Sequence, residues 1–267
     1  MVEEQPAGHG STLRAFFPDV VPPAVLEARV RDYLTSLGKL GLAIPAAPTI
    51  TALADRDWGR AWREHFRPLS MGRRLLVAPP WDVPAAPDRL VLIIEPGRAF
   101  GTGHHGSTAG CLELLERALA PGGSAPATAI DLGTGSGILA VAAARLGVER
   151  ILAVDDDPDA VAAAAGNAER NGVAARIEVR LGDAATLEAA PAPLVLANLL
   201  AAAHVRLAAR YRRLLAPGGM LVLGGILEGE AGGVRDDLRA QGLAPSDAVS
   251  IDGWTTLGFR APVHDLA

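Results

Sequence analysis

The residues best suited to chemistry centre on a short glycine-rich stretch, DLGTGSG at positions 131–137. Glycines at alternate positions let the backbone adopt left-handed conformations and let a ligand touch bare main chain. The apolar segment 127–132 predicts a buried strand before the stretch, and a helix to about residue 146 follows it. Unpaired N–H groups at the start of that helix would point at a bound group. Alone, such a stretch is more often an ordinary strand-to-helix turn, so its surroundings decide.

Polar residues end four successive predicted strands, and they supply those surroundings: Asp131, Asp155, Asp183 and Asn198. The carboxyl ends of parallel strands form one edge of a sheet, where ligands of such folds bind. At the second strand end, Asp155 is placed to accept hydrogen bonds from both ribose hydroxyls of an adenosine. A single strand-end acid would be read as a loop or helix-capping residue. Four polar strand ends in succession instead predict a ligand that contains a nucleoside.

Two of these residues keep alternative interpretations. Asp183 could accept a hydrogen bond from an adenine amino group or simply cap a turn, and the sequence favours neither. Asn198 could lie between the ligand and a second substrate. It could equally cap a helix that is predicted to begin near residue 199, because asparagine is a favoured cap.

The elements that must position these residues alternate regularly from residue 127 onward. Strand, helix, strand and helix follow one another, which predicts an α/β fold with a doubly wound, mostly parallel sheet of Rossmann-like type. Two closing strands, at about 246–251 and 255–260, can form an antiparallel hairpin at one edge. The helix that follows Asn198 is expected to run to Leu215 and to stop at Pro217-Gly218-Gly219, before the strand 220–223.

The chain before this sheet predicts a smaller unit. Residues 1–54 are expected to form a small α/β unit for substrate recognition, with residues 1–12 disordered, strands at 13–17 and 49–53, and a helix from Pro22-Pro23. Trp58, Trp62 and Phe66 recur at helical spacing, so residues 55–70 are predicted as a linker helix. Residues 71–267 then form the ligand-binding domain.

Composition limits the classes of function. No apolar run in the 267 residues reaches membrane-span length, and the polar N-terminus lacks the apolar core of a signal peptide. One cysteine, Cys111, cannot form an internal disulfide, so a cytoplasmic setting is expected. The net charge of −5 argues against broad nucleic-acid binding and slightly favours a basic partner.

The pattern D-x-G-x-G-x-G, followed by an acid at the next strand end, resembles the class I S-adenosylmethionine-dependent methyltransferases. Three further segments are similar to the ribosomal protein L11 methyltransferase family: EPGRAFGTGHHGST at 95–108, DWGRAWREHF at 57–66 and ANLL at 197–200. That family methylates amino groups of a protein of the large ribosomal subunit. The similarity extends from about residue 14 to residue 260, and the segment 95–108 is its most specific part.

The resemblance implies S-adenosylmethionine as cofactor and L11, free or on the large subunit, as partner, with no sequence-specific nucleic-acid binding and no membrane contact. Together with the glycine motif and the strand ends it gives these cofactor-binding candidates: Thr102, Gly103, Thr108, Gly133, Gly135, Gly137, Asp155, Asp183 and Asn198. The implied catalytic residues are Asn198, His104 and Phe100. The sequence departs from the family at Gly106 and in an N-terminal unit that looks truncated, without the first strand–helix pair of a ferredoxin-like domain.

Other interpretations remain at this point. His104-His105 could bind a metal, although adjacent histidines in an extended segment point apart and no third ligand stands at metal spacing. A methyltransferase for another protein amine or a small molecule would share every cofactor residue. A nicotinamide dehydrogenase would need its third glycine one residue later. A non-catalytic cofactor-binding protein would have no use for Asn198 or for the segment 95–108.

Overall fold

The structure, a computed structural model, describes these residues: 2–7, 10–15, 22–39, 66–96, 106–120 and 122–263. The chain divides into two compact units, Met1–Trp62 and Arg63–Ala267. The predicted boundaries at residues 54 and 70 remain predictions.

The first unit contains a hairpin and a helix. Strand β1 (Val2–Ala7) pairs antiparallel with β2 (Gly10–Ala15), and helix α1 (Pro23–Lys39) follows. The helix begins at the predicted prolines, since a proline needs no hydrogen-bond partner in a first turn. The expected disorder of residues 1–12 is wrong for those described, because pairing with β2 gives the polar segment of β1 a regular partner. The predicted strand 49–53 lies outside the described residues.

The second unit opens with a three-stranded sheet of order β3-β4-β5. Its strands are β3 (Leu69–Met71), β4 (Leu75–Ala78) and β5 (Leu90–Ile93). Strand β3 takes up the last residues of the predicted linker helix. Most of that helix, residues 55–65, lies outside the described residues.

The main sheet has seven strands in the order β11-β12-β10-β9-β6-β7-β8. They are β6 (Thr128–Leu132), β7 (Arg150–Asp155), β8 (Ile177–Leu181), β9 (Ala192–Asn198), β10 (Leu215–Leu227), β11 (Ala244–Ile251) and β12 (Trp254–Arg260). Strands β10, β9, β6, β7 and β8 pair in parallel, whereas β12 and β11 pair antiparallel at one edge. The predicted α/β class, parallel sheet and closing hairpin are therefore confirmed.

Five helices in the described part of this unit flank the sheet: α2 (Gly106–Ala118), α3 (Ile138–Arg145), α4 (Pro158–Arg170), α5 (Ala201–Leu214) and α6 (Ala231–Ala240). Short 3-10 turns lie at Ala174–Arg176 and Glu228–Glu230. The predicted start of α4 is confirmed in detail, because Asp157 caps it through the Asp159 N–H and Pro158 stands in its first turn. No helix in the described ranges is long and apolar enough to span a membrane.

The core has two layers, one on each face of the sheet. Successive strand residues point to opposite faces. In β6, Ala129 therefore packs with α2 and α3, while Ile130 packs with α5 and α6. The same alternation assigns Asp131, Asp155 and Asn198 to the face of α2, α3 and α4. Strand periodicity thus gathers the polar strand ends on one face of the sheet.

One predicted break is wrong. Pro217-Gly218-Gly219 does not separate a helix from a strand, since β10 runs continuously from Leu215 to Leu227. The register with β9 shifts between Leu215 and Met220, and Gly218 has a φ of +71°. Between those two pairs four residues of β10, 216–219, face the single residue Pro193 of β9. The proline, which has no N–H to donate to the ladder, therefore lies where the pairing with β9 is interrupted.

Candidate functional site

The glycine loop joins the end of β6 to α3 in left-handed backbone. The φ angles are +66° at Gly133 and +79° at Gly137, which is the N-cap of α3. A Cβ at Gly133 would come within 2.4 Å of a Leu199 side-chain carbon, and one at Gly137 within 2.9 Å of the Ala164 Cα. The positive φ favours glycine at both positions, and at Gly137 the Ala164 main chain also leaves no space for a side chain.

Asp131 fastens this loop from below. Its Oδ2 accepts hydrogen bonds from the Thr134 hydroxyl at 2.6 Å and from the Ala140 N–H at 3.2 Å. The side chain is buried, and its Oδ1 has no hydrogen-bond partner among the described residues. Burial, followed in the same direction by the negative charge of Asp155, raises the pKa of the Asp131 carboxyl to about 6. Asp131 therefore holds the turn of the loop against the first turns of α3.

Replacing Asp131 with asparagine should remove a pH dependence of stability. Because the folded carboxyl has the raised pKa, the folded protein holds this proton more tightly than the unfolded chain. The contribution of the Asp131 carboxyl to the free energy of unfolding is therefore fully present below its pKa in the unfolded chain. This contribution is lost as pH rises through its pKa in the folded protein. Between about pH 4.5 and about pH 7, wild type should lose on the order of 2 kcal/mol relative to Asp131→Asn. Urea unfolding of both proteins measures this, and a constant difference would contradict it.

Asp155 lies beside the loop at the end of β7. Its Oδ2 accepts a hydrogen bond from the Gly135 N–H at 2.8 Å, and its Oδ1 accepts one from the Asp157 N–H at 3.1 Å. The side chain is half-buried. A carboxylate oxygen can accept more than one hydrogen bond, so each oxygen retains capacity for a ligand hydroxyl. The structure thus holds this carboxylate in place against the glycine loop.

Asn198 and Thr108 meet across the site. The Asn198 side-chain amide donates to the Thr108 hydroxyl at 3.3 Å, and Thr108 is buried in the first turn of α2. Helix α5 begins at Ala201 with Leu200 as its N-cap. Asn198 is therefore not the N-cap, and the helix-cap interpretation is wrong at that position. Its side chain connects the end of β9 to α2.

Asp183 is exposed after β8. Its Oδ1 accepts a hydrogen bond from the Ala185 N–H at 2.8 Å, which is the turn-capping arrangement left open by the sequence. A contact to adenine stays a prediction for this residue.

The loop candidates Phe100, Thr102, Gly103 and His104 lie outside the described residues, as does His105. Gly106, where the sequence departs from the family, starts α2. A Cβ there would come within 2.7 Å of the Ile251 carbonyl oxygen in the closing hairpin. Close packing against β11 accounts for the glycine. Within the described ranges no three His, Cys, Asp or Glu side chains gather as a metal site.

Two buried asparagines, Asn167 in α4 and Asn171 at its C-cap, escaped the sequence analysis. Asn167 accepts from the Glu95 N–H at 3.0 Å and donates to the Ser136 carbonyl at 2.8 Å. Asn171 exchanges two hydrogen bonds with the Ile93 main chain, at 2.8 and 2.7 Å. Asn167 joins Glu95, just after β5, to the glycine loop, and Asn171 joins β5 to the end of α4. Their signal was polar residues, four apart, on the otherwise alanine-rich buried face of α4.

A doubly wound sheet with a glycine loop after β6 and an acid at the end of β7 is shared with dinucleotide-binding folds. The family match and a similar solved structure assign this chain to the class I S-adenosylmethionine-dependent methyltransferases, for which S-adenosylmethionine is the methyl donor. Within the class, this chain belongs to the ribosomal protein L11 methyltransferase family, whose model matches residues 2–262. The resemblance found in the sequence is confirmed.

Individual relatives agree. A ribosomal protein L11 methyltransferase of Pelotomaculum thermopropionicum is 42% identical over 233 residues, covering 87% of this chain and 74% of that protein. One of Geobacter metallireducens is 40% identical over 257 residues, covering 94% and 82%. The crystal structure of a ribosomal protein L11 methylase from Lactobacillus delbrueckii subsp. bulgaricus superposes with a TM-score of 0.67 at 28% identity, covering 74% of this chain and all of that one.

Proposed function

We propose that this protein transfers methyl groups from S-adenosylmethionine to amino groups of ribosomal protein L11, on lysine side chains, on the N-terminal amine or on both. The observation that carries the proposal is the Asn198–Thr108 pair, which sets an amide at the open end of β9 beside the glycine loop. Family membership supports the choice of acceptor. The same proposal places the protein in the cytoplasm, in contact with L11 either free or on the large subunit.

The polar groups around the glycine loop fit the cofactor. A polyhydroxylated ribose requires acceptors, and the half-buried Asp155 carboxylate offers two oxygens that are already oriented by the Gly135 and Asp157 N–H groups. Main chain without side chains lies beside it at Gly133 and Gly135. The other proposed contacts are Thr108, Gly137, Asp183 and Asn198, with Thr102 and Gly103 from the segment 95–108. When bound, S-adenosylmethionine supplies a methyl group on a sulfonium and leaves as a thioether.

The protein's own residues then have to prepare an amine. A free lysine has a pKa of about 10.4, so it must lose its proton before it can attack. Burial beside a positive charge lowers such a pKa. In this proposal the Asn198 side-chain oxygen accepts an amine hydrogen and directs the lone pair, while the hydrogen bond from the amide nitrogen to Thr108 fixes the side chain. We propose Asn198 as the catalytic residue that aligns the amine, together with His104 and Phe100 of the segment 95–108.

The test is transfer of label from tritiated S-adenosylmethionine to purified L11 and to large ribosomal subunits. We expect label in L11 and its loss when L11 amines are blocked beforehand. Label in another protein of a ribosomal extract, with none in L11, would retain the methyltransferase and replace its acceptor. No label in any amine of the extract would contradict the proposal.

Deleting residues 1–62 should separate acceptor recognition from cofactor binding. The second unit, Arg63–Ala267, contains the glycine loop and the four polar residues at the strand ends, Asp131, Asp155, Asp183 and Asn198. We expect cofactor affinity within about twofold of wild type and transfer to L11 at least about tenfold slower, as expected for loss of ~1.4 kcal/mol of recognition. Calorimetry and transfer assays measure the two properties. Transfer at the full rate would remove the recognition role of the first unit.

A further inference from the structure

A buried histidine lies directly behind the end of β9 and β10. His204, on the second turn of α5, is fully buried. Its Nε2 is 2.7 Å from the Gly224 carbonyl oxygen, and its Nδ1 is 2.8 Å from the Tyr211 hydroxyl. Tyr211 is also fully buried. Two core polar side chains on α5 thus hold the Gly224 carbonyl of β10, and the Leu199 main chain is a further hydrogen-bond partner of His204.

The proton positions in this group follow from chemistry. Burial lowers the pKa of His204 to about 4 and raises that of Tyr211, so both are neutral near pH 7. A neutral imidazole carries one N–H, and a carbonyl can only accept. His204 Nε2 therefore donates to Gly224, and the Tyr211 hydroxyl donates to Nδ1. The tyrosine fixes the tautomer that the carbonyl requires.

The Gly224 peptide needs such a partner. Pairing between β10 and β12 runs from Met220 to Leu223 and resumes only at Ile226, so Gly224 and Gly225 fall in the irregular part. Gly225 has a φ of +77°. The other neighbour is β9, where the Leu199 N–H donates to the Gly224 oxygen at 3.2 Å. His204 supplies this carbonyl with its second donor on the α5 side of the sheet.

The same peptide forms the support of Asn198. A Cβ at Gly224 would come within 2.9 Å of the Asn198 Oδ1, and one at Gly225 within 3.1 Å. Gly224 also pairs with Asn198 in the parallel register. A change in the orientation of the Gly224 peptide therefore shifts the surface against which the Asn198 side chain lies.

We infer that His204 is a positioning residue for methyl transfer, which holds the Gly224 carbonyl and through it the Asn198 side chain. The inference rests on the proposed role of Asn198 in transfer. His204 does not contact the reacting groups, because it lies on the opposite face of the sheet from Thr108. Tyr211 holds the ring of His204 from behind.

Two amide substitutions separate the two hydrogen bonds. In His204→Gln the side chain, which is longer than that of asparagine, can place its N–H near the former Nε2 and keep the hydrogen bond to Gly224. This variant loses the hydrogen bond with the Tyr211 hydroxyl. In His204→Asn the shorter amide can accept from Tyr211, but it cannot reach Gly224. The chemical groups are identical, and each variant loses one buried bond. We expect similar decreases in melting temperature and cofactor affinities within about twofold of wild type.

The transfer rate should differ between them. We expect the single-turnover rate of His204→Gln to stay within about threefold of wild type and that of His204→Asn to fall at least about tenfold, since small misplacements slow transfer strongly. In an Asn198→Ala background the two variants should be equal, because interacting residues are not additive. Equal rates in the wild-type background, or rates that follow the melting temperatures, would overturn the inference.

Hydrogen exchange at the Leu199 amide provides a readout that needs no acceptor. This N–H donates to the Gly224 oxygen, and in the inference His204 holds the orientation of that carbonyl. Exchange should therefore be at least about tenfold faster in His204→Asn than in His204→Gln. Equal exchange in both would overturn the inference whatever the activity. The expected difference in exchange, combined with no transfer to any amine by wild type, would instead contradict the proposed function and leave only the hold of His204 on the Gly224 carbonyl.

Discussion

Replacing Asp155 with alanine should weaken S-adenosylmethionine binding about 100-fold while the fold survives. The carboxylate is proposed to accept both ribose hydroxyls, and charge-assisted hydrogen bonds contribute about 1.5–3 kcal/mol each before water replaces them. A net loss of ~2.7 kcal/mol corresponds to 100-fold in affinity. The substitution also frees the Gly135 N–H, which loosens the loop. Calorimetric titration of the folded variant measures the affinity directly.

Asp157 provides the matched control two residues away. It carries the same charge, is exposed, and caps α4 through the Asp159 N–H. Asp157→Ala should cost about 1 kcal/mol of stability and leave cofactor affinity nearly unchanged. Asp155→Asn divides the effect further, because its one carbonyl oxygen can still accept from Gly135 but the charge is gone. Equal affinities of wild type and Asp155→Ala would remove Asp155 from the site.

The sheet and its strand ends could be predicted because their signals are local. Short continuous apolar runs, such as Leu194 to Ala197, predict a buried strand, and the alternation of side chains along a strand then gives the face on which the next residue lies. Asp157-Pro158 marks the start of α4 for a similar reason, since cap and first turn are neighbours in sequence. Locality also explains why the polar ends of β6, β7 and β9 were found together.

The remaining features depend on partners far away in the chain. Asn167 and His204 bind main-chain groups 20 residues or more away, and neither residue type distinguishes a buried bridge from a solvated side chain. Pro217 was expected to end an element, but β10 continues past it because Leu215 and Met220 pair with β9 on either side of the interruption. The strand β1 was missed because its pairing with β2, and not its polar composition, makes it regular.

Asn198 gives the sharpest distinction between an enzyme and a protein that only binds the cofactor. The alternative role as the N-cap of α5 does not hold, since Leu200 occupies that position. Two roles remain for Asn198. It could serve only as a structural link through its 3.3 Å hydrogen bond to Thr108, or it could also align the acceptor amine. A neutral side-chain hydrogen bond contributes about 1 kcal/mol to stability. Loss of alignment by about 1 Å costs roughly 100-fold in rate.

Asn198→Ala should therefore remain folded, bind the cofactor only slightly more weakly, and transfer methyl groups about 100-fold more slowly. Thr108→Val is the matched variant, because it removes the same hydrogen bond from the other side and keeps the Asn198 carbonyl oxygen. Since Thr108 is also a proposed cofactor contact, the two variants are compared at saturating cofactor. It should melt like Asn198→Ala but transfer faster, since its asparagine can still accept an amine hydrogen. Thermal melting and single-turnover transfer on the same preparations measure both effects. A lower melting temperature with a normal transfer rate in Asn198→Ala would limit Asn198 to a structural link between β9 and α2.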